Sequence, residues 1–468
     1  MKKPFLLFAA ISLLLSESSF AGLKTHQAAD LVLGQPDFET ELPNLSQTGM
    51  TRPRDVAIDP TTGKVFVADS FNHRILRFAS HLSLWNGTPA EAVFGQDDFV
   101  SQNGNQARQN RFDLLARLYI DHEGRLWVTD QNNHRVLRYE NASHRVTGTP
   151  ADGVLGQPDF TSFATGLDDS SMNIPIGITG SPDGTIWVAD LENHRVLRFD
   201  NAALKINGAP ADAVLGQLDF LSKTSGTSAT KMKSPTGIFF DDDGALWVAE
   251  RDNNRILRFD NAASLGNGAA ANGVLGQDDF STASGGLGEF KLQDPSDVVV
   301  DSQGTLYVSD YRNFRVLGFL DAAKLADGSA ASIVLGQTDF GSGEVSLTAQ
   351  GAYYVQGLAL DELDRLYVSQ TNFNRVLRYS PDGTPAISIK GKKSTRSSNL
   401  TLRGTAFSDL LVTSVQVKGK RGGFKNARGT SSWTYRLRGL GFGTTKAKVK
   451  ATSLDGKTAI KTVRVRRR

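Results

Sequence analysis

One phrase recurs six times along this chain, and it constrains the fold more than any other feature. Each copy opens with a segment like VLGQPDF and continues, 40 residues later, with a segment like NHRVLRF. The glycine of the first segment falls at Gly34, Gly95, Gly156, Gly216, Gly276 and Gly336, and the arginine of the second at Arg74, Arg135, Arg195, Arg255, Arg315 and Arg375, so both series advance by 60 or 61 residues. Such a regular period indicates a repeat architecture in which each unit buries its apolar face against its neighbours.

Each copy contains four short strand-like runs. In the third copy these are VLG at 154–156, IGIT at 176–179, TIWVAD at 185–190 and RVLRF at 195–199, all of a length typical of β-strands. The turn residues Pro182, Asp183 and Gly184 separate the second run from the third. The sequence therefore predicts an all-β fold, a six-bladed β-propeller of four-stranded sheets set around a channel, which leaves few exposed sheet edges.

The repeats also predict how the ring closes and packs. The first VLGQ segment stands before the first group of three remaining strand runs. No such segment follows the sixth group, which ends at Tyr379. We therefore expect residues 31–34 to supply the outer strand of the last blade; the alternative donor is AISIKG at 386–391. One large ring recurs at the same place in every copy, which favours packing between blades over a binding cage: Phe66, Trp127, Trp187, Trp247, Tyr307 and Tyr367.

The segments SFNHRILRF, QNNHRVLRY and LENHRVLRF resemble NHL repeats, and the resemblance covers residues 30–380. Three copies depart from it, because Asn254, Phe314 and Asn374 stand where the others have histidine. The resemblance implies a six-bladed propeller used mainly for binding or scaffolding. It also implies a second possibility, because a minority of related propellers are metal-dependent lyases or hydrolases.

The N-terminus has the pattern of a secretory signal. Lys2 and Lys3 precede an apolar run from Phe5 to Leu15, and Ser19 and Ala21 occupy the small-residue positions of a cleavage site. We assign residues 1–21 to a signal peptide, with the mature protein secreted, periplasmic or associated with the cell surface. No later apolar segment has the length of a membrane span. The chain contains no cysteine, so the exported protein is expected to be stabilised by core burial without disulfides.

Composition changes abruptly after residues 381–383. Residues 384–468 hold 21 Lys and Arg against two Asp, a net charge of +19, whereas residues 22–383 hold 29 basic and 46 acidic residues, a net charge of −17. Alternating runs at 399–403, 411–418, 432–437, 445–451 and 459–466 predict a small antiparallel sandwich over residues 384–468. The stretch from Thr405 to Gly456, with Trp433, resembles bacterial immunoglobulin-like domains. The charge suggests an anionic cell-surface polymer as partner, or contact with the acidic propeller; no specific nucleic-acid partner is expected.

Two recurrent polar patterns have structural interpretations. Five residues before each repeated arginine stand Asp69, Asp130, Asp190, Glu250, Asp310 and Gln370. An acid beside an arginine across a tight turn predicts an ion pair. The histidines His73, His134 and His194 could be read as zinc ligands. Equivalent positions of different blades lie apart around a ring, so we do not expect them to share a metal.

The candidate ligand-binding residues are found where the repeat breaks, just before the innermost strand of each blade. The copies read Arg54-Asp55, Ala116-Arg117, Ile176-Gly177, Thr236-Gly237, Ser296-Asp297 and Gln356-Gly357. We predict a binding site at the channel mouth, on the face with the long variable loops between blades, formed by Arg54, Asp55, Arg117, Asp297 and Gln356. The charged members could equally be solvated or paired with each other.

Two function classes remain open from sequence. The first is an exported, non-enzymatic binding or scaffolding protein whose propeller face recognises a protein, a peptide or a glycan. The second is a lyase or lactone hydrolase in the channel, using calcium or zinc held by converging carboxylates or imidazoles. The sequence contains no Gly-x-Ser-x-Gly elbow, phosphate loop or HExxH motif. We therefore favour the first class and expect no cofactor and no catalytic residue.

Overall fold

The computed structural model describes residues 22–104, 106–381, 386–390, 394–407, 412–419, 423–430, 432–453 and 457–467. The signal peptide predicted at residues 1–21 and the residues 382–383 of the predicted domain boundary lie outside this part of the chain. The protein divides into two compact units, one formed by Leu23–Ser380 and the other containing Pro381–Arg468.

The first unit consists of six four-stranded antiparallel sheets. Numbered along the chain, their strands are as follows: sheet 1, Asp55–Ile58, Lys64–Asp69, Arg74–Ser80 and Ala92–Phe94; sheet 2, Leu115–Ile120, Leu126–Asp130, Arg135–Tyr139 and Gly153–Leu155; sheet 3, Pro175–Gly180, Ile186–Asp190, Arg195–Phe199 and Ala213–Leu215; sheet 4, Pro235–Phe240, Leu246–Glu250, Arg255–Phe259 and Gly273–Leu275; sheet 5, Pro295–Val300, Leu306–Asp310, Arg315–Phe319 and Ile333–Leu335; sheet 6, Val355–Leu360, Leu366–Gln370, Arg375–Tyr379 and Leu31–Leu33.

These sheets form a closed ring. The first strand of each sheet contacts the first strand of the next, and the first strand of sheet 6 contacts that of sheet 1. This arrangement is consistent with a β-propeller, in which ring closure removes most free edges. The large rings that recur once in every sheet, from Phe66 in sheet 1 to Tyr367 in sheet 6, are each at most 2% exposed. They pack into apolar clusters between neighbouring sheets. The prediction that these rings serve packing is confirmed.

The ring has two faces that differ in their connections. What we call the turn face carries the loops between sheets and a one-turn 3₁₀ helix between the second and third strands: Ser70–Asn72, Gln131–Asn133, Leu191–Asn193, Arg251–Asn253, Tyr311–Asn313 and Thr371–Phe373. The opposite face carries the turns between the first and second strands. It also carries the connections between the third and fourth strands, with short 3₁₀ helices at His81–Ser83, Ala142–His144, Ala202–Leu204, Ala262–Ser264 and Ala322–Lys324.

The N-terminal run closes the ring as predicted. Leu31–Leu33 pairs antiparallel with the third strand of sheet 6, placing Leu31 opposite Arg378 and Leu33 opposite Val376. The alternative donor does not take this place, because Ala386–Lys390 pairs with Leu400–Phe407 in the second unit. The last sheet is therefore completed by the first strand of the chain.

The histidine of the NHR segment has a role that sequence reasoning did not identify. It follows the 3₁₀ turn with a positive φ, and its Nδ1 accepts a backbone N–H from the start of the next sheet: Ile174 N–H donates to His134 at 3.1 Å, and Ser234 N–H to His194 at 3.2 Å. Asn254 replaces the imidazole with an amide oxygen that accepts the N–H of Asp294 at 2.9 Å. Where the position holds histidine or asparagine, its side chain therefore links neighbouring sheets by accepting a backbone N–H.

This link predicts a pH dependence of stability. Burial lowers the pKa of His134 and of His194 below the ordinary value. The unfolded chain therefore binds protons more readily, and stability should be lost as the pH falls from about 6.5, the unfolded histidine pKa, through the lower folded value. In the double variant H134N/H194N, which copies the chain's own Asn254, the drop in melting temperature between neutral and mildly acidic pH should be smaller by a few degrees. The exposed His122, changed to Asn, is the control and should leave the wild-type pH profile unaltered.

The described residues of the second unit form two sheets. Ala386–Lys390, Leu400–Phe407 and Ser432–Leu437 form one sheet, and Ser394–Thr395, Thr458–Arg467, Gly443–Ser453, Val412–Lys418 and Lys425–Asn426 form the other. One apolar cluster draws on both sheets, including Leu402 and Trp433 from the first and Val449 and Val465 from the second. The runs predicted at 399–403, 411–418, 432–437, 445–451 and 459–466 each overlap a strand of this unit, and residue 411 lies outside the described residues. None of the helices among the described residues is long and apolar enough to cross a membrane.

Candidate functional site

The five predicted site residues come together at the turn-face end of the channel, around Arg117. The Arg117 guanidinium donates from Nη1 to the carbonyl oxygen of Arg54 at 2.8 Å. Its Nη2 donates to the carbonyl oxygens of Ser296 at 2.9 Å and Gln356 at 3.2 Å. Its Nε lies 3.6 Å from Asp297 Oδ2. One side chain from sheet 2 thus contacts sheets 1, 5 and 6 across the ring.

The two carboxylates beside Arg117 also join sheets. Asp55 Oδ2 accepts the N–H of Leu118 at 2.7 Å, and Asp297 Oδ2 accepts the N–H of Leu358 at 2.8 Å. Burial raises the pKa of Asp55 well above its usual range; Arg117 opposes this shift and Asp297 adds to it. Burial likewise raises the pKa of Asp297 against the influence of Arg117. A single guanidinium therefore partly compensates two buried carboxyl groups.

The glycine found at this position in other sheets has a steric cause. A Cβ on Gly357 would lie 2.3 Å from Asp55 Oδ1, and a Cβ on Gly237 would lie 2.3 Å from Asp297 Oδ1. Each aspartate therefore occupies space that its neighbour leaves open by lacking a side chain. Asp55 and Asp297 therefore each depend on a glycine in the neighbouring sheet.

The exposure of these residues differs from what a binding site at the mouth would need. Asp55, Arg117 and Asp297 are only 2%, 3% and 5% exposed, and the Gln356 amide oxygen accepts the hydroxyl proton of Thr371 at 2.8 Å. A cavity of about 270 Å³ begins at these three charged side chains. It follows the first strands past Ile58 and Ile120 to Pro182 and Asp241. It therefore leads to the opposite face, where the repetitive connections gave no reason to expect a ligand.

The six repeated arginines are structural. Each is 0% exposed, and in five sheets its Nε donates to the acid five residues earlier, as Arg195 does to Asp190 at 2.8 Å. In sheet 6 the acceptor is the amide oxygen of Gln370, 2.9 Å from Arg375. The predicted ion pair is confirmed in those five sheets, and these arginines are not available to a ligand.

Arg54 of the predicted site and five side chains that sequence reasoning passed over form a mixed surface near the mouth, which we call the aromatic–arginine surface. Its members are Arg52, Arg54, Phe71, Tyr311, Tyr353 and Tyr354. The Arg52 and Arg54 guanidinium carbons lie 4.6 and 5.8 Å from the centre of the Phe71 ring. The rings of Tyr311 and Tyr354 are 4.7 Å apart, and those of Tyr353 and Tyr354 are 4.5 Å apart. Arg52 is exposed, and the other members are half-buried.

The electrostatics of this surface favour an anion. Within the described part of the chain no ion pair involves Arg52 or Arg54, and Arg54 donates instead to the neutral Gln131 Oε1 at 2.8 Å. Burial, followed by the nearby charge of Arg117, lowers the pKa of Arg54 to about 10. Both causes disfavour the charged form of Arg54, so an anion bound beside it would stabilise the cation. Beside it lies a depression of about 410 Å³ lined by Glu41, Arg52, Tyr353 and Asn372.

The residue with positive φ shortly before each first strand could have indicated this surface. The six sheets have Arg52, Leu114, Ile174, Ser234, Asp294 and Tyr354 at this point, all with positive φ. Arginine and tyrosine occur there only in sheets 1 and 6, which are neighbours in the ring. Among the described residues, no three His, Asp or Glu side chains converge on a point where they could hold a metal ion.

The model of the NHL repeat matches residues 50–78, 172–199 and 292–319. The chain carries NHL repeats. The three matches cover the first three strands of sheets 1, 3 and 5 and the turns between them. The resemblance noted from the repeated NHR segments is thereby confirmed.

Human teneurin-4 is 26% identical over 289 residues, which are 56% of this chain but 10% of teneurin-4. The match thus spans about a tenth of that relative. Among solved structures, virginiamycin B lyase from Staphylococcus aureus aligns with a TM-score of 0.39 at 15% identity, over 70% of this chain and 95% of the lyase. The extracellular domain of a putative hybrid two-component system from B. thetaiotaomicron aligns with a TM-score of 0.37 at 13% identity, over 89% of this chain and 57% of that one.

Proposed function

We propose that this protein is an exported, non-enzymatic binding or scaffolding protein. In this proposal residues 1–21 direct export to the periplasm, the cell surface or the medium, and residues 22–383 form a six-bladed NHL propeller that recognises a protein, peptide or glycan. Residues 384–468 form an immunoglobulin-like sandwich whose charge holds the protein at an anionic surface.

The observation that carries the proposal is the aromatic–arginine surface. Tyrosine and arginine dominate the energetics of many protein interfaces, because both combine a large contact area with directional hydrogen bonds. Arg52 and Arg54 are held against Phe71, so little side-chain freedom is lost when a ligand binds. A ligand that fits carries a carboxylate next to an apolar group, such as an acidic peptide segment.

The buried charges at the channel support the same conclusion. Arg117 has three backbone acceptors and a carboxylate neighbour, and each aspartate accepts a backbone N–H from the next sheet. Groups held this way cross-link the ring and are not free to hold a substrate. We therefore propose that the ligand contacts the half-buried Arg54 and the other members of the aromatic–arginine surface, and not Asp55, Arg117 or Asp297.

Selection from a random peptide library and binding to a glycan array, both with full-length protein, test this proposal. We expect selected ligands to be acidic and to bind the double variant R52Q/R54Q at least 30-fold more weakly, which is about 2 kcal/mol and typical of a hot spot. The matched control is R251Q/R312Q, which removes two charges from the same face. Those two arginines are already paired with Asp252 and Asp294, so their loss should change affinity little. Equal affinity of both variants for the selected ligands would rule out this surface.

A further inference from the structure

The five-stranded sheet of the second unit has one outward face that carries six basic side chains. Along Gly443–Ser453 the odd-numbered residues Thr445, Ala447 and Val449 are buried, so Lys446 and Lys448 point outward. The neighbouring strands add further cations to the same face. We call this the basic sheet face: Lys418, Lys446, Lys448, Lys450, Arg464 and Arg466.

The register places like charges opposite one another on this face. Lys448 is directly opposite Lys418 on one side, and Lys446 is directly opposite Arg464 on the other. Side chains paired in this way are about 5 Å apart at Cβ, and like charges there destabilise a sheet. Within the described residues none of the six cations has an ion-pair partner. Binding of an external anion would relieve this repulsion.

Other side chains on this face indicate which kind of anion fits. Thr444 lies opposite Arg466, Thr462 lies opposite Lys448, and Gln416 lies opposite Lys450. A groove of about 1250 Å³ runs over the face and includes Phe424 and Ile460 in its lining. Hydroxyl and amide groups can bond sugar hydroxyls, and apolar side chains can cover the C–H faces of sugar rings.

We infer that the basic sheet face binds a linear acidic polysaccharide, with sugar carboxylates over the lysines and arginines. This inference rests on the proposed attachment to anionic surfaces and names the ligand class. Alternate residues of a strand are about 6.7 Å apart and adjacent strands about 4.8 Å apart, which gives a grid of cations over which an extended polymer can make several contacts. A double-stranded nucleic acid or an anionic bilayer would use the charges but not the hydroxyl groups and the apolar lining.

Binding of full-length protein to polygalacturonate, with neutral dextran, mixed-sequence DNA and phosphatidylglycerol vesicles as comparison probes, tests the inference. We expect affinity for polygalacturonate to exceed that for the other probes and to fall steeply with salt. The triple variant K446Q/K448Q/R464Q should bind it roughly 100-fold more weakly, given about one kcal/mol for each cation near an anionic surface. The control R396Q/R403Q/R436Q removes the same charge elsewhere in the unit and should weaken binding less than about tenfold.

A charge reversal separates binding from folding. Changing Lys448→Glu turns its like-charged pair with Lys418 into an opposite-charged one, so the melting temperature of the second unit should rise while polygalacturonate binding falls. Equal losses in the two triple variants would overturn the assignment to this face. Equal or tighter binding to DNA or vesicles would overturn the polysaccharide but leave anionic attachment standing. No binding to any anionic probe would overturn both, and would favour a contact with the acidic first unit.

Discussion

Replacing Arg195 by leucine should destabilise the first unit by about 3–5 kcal/mol, the cost expected when one partner of a buried ion pair is removed. Arg195 is 0% exposed and donates to Asp190 and to the carbonyl oxygens of Asp168, Ser171 and Phe220 at 2.7–3.0 Å. Burial already raises the pKa of Asp190, and Arg195 counteracts that shift. Without the guanidinium the pKa of the Asp190 carboxyl should rise further, while three loop carbonyls lose their donor.

Chemical denaturation of full-length protein measures this effect, and the chain supplies its own controls. Arg375 donates to the neutral Gln370 in sheet 6, so Asp190→Asn should keep the Arg195 bonds and cost clearly less than Arg195→Leu. Arg251 forms its ion pair at the surface, with side chains 40% and 34% exposed, and Arg251→Leu should change stability by less than about 1 kcal/mol. Equal destabilisation by Arg195→Leu and Arg251→Leu would show that the buried arginines do not hold the loops.

The repeat period explains why so much of the first unit was predictable. Each strand is defined six times over, so an ambiguous run in one copy is resolved by the others, and the unmatched VLGQ before the first set indicated ring closure. The same redundancy made the Arg195–Asp190 pairing visible as a fixed spacing of five residues. Such a pairing can be predicted from sequence because the two interacting groups lie on the two sides of one turn, at a fixed spacing.

The candidate site was less predictable because its contacts cross the ring. Arg117 and Asp297 are 180 residues apart in the sequence, yet their side chains are 3.6 Å apart. The break in the repeat marked both positions, but no spacing showed that the charges neutralise one another or that they are buried. The aromatic–arginine surface was missed for a related reason, since Arg52 and Tyr354 begin sheets that are adjacent only after ring closure.

The histidine position shows how a repeat can reveal a residue without revealing its role. From the sequence, Asn254 is a departure from the repeat that shows only that the imidazole of His134 is not required in every sheet. Their shared function is to accept a backbone N–H from the next sheet. Phe314 cannot accept such a bond, and its ring instead packs 4.9 Å from that of Tyr354. This substitution contributes to the aromatic–arginine surface in the same region where the polar link is lost.

Deleting residues 30–38 should have the largest effect on the first unit. Leu31, Val32 and Leu33 are at most 2% exposed, and burial of three such side chains contributes about 5–9 kcal/mol at the usual 1.5–3 kcal/mol each. The deletion also removes the carboxylate of Asp30, 2.9 Å from Arg378 Nε, and the Gln35 amide that donates to Asn374 O at 3.0 Å. The loss is comparable to the whole stability of a typical domain, so the melting transition should broaden or disappear, and the uncovered edge of sheet 6 should promote aggregation.

Two further variants show whether this effect belongs to ring closure. Leu33→Asp places an unpaired charge on the buried strand and should destabilise by several kcal/mol, whereas Leu42→Asp changes a side chain that is 69% exposed and should be nearly neutral. A chain ending at Ser380 lacks the alternative donor strand Ala386–Lys390 and should retain the wild-type melting transition of the first unit. If truncation at Ser380 abolished that transition while the deletion of residues 30–38 preserved it, closure of sheet 6 would have to depend on the second unit and not on the N-terminal strand.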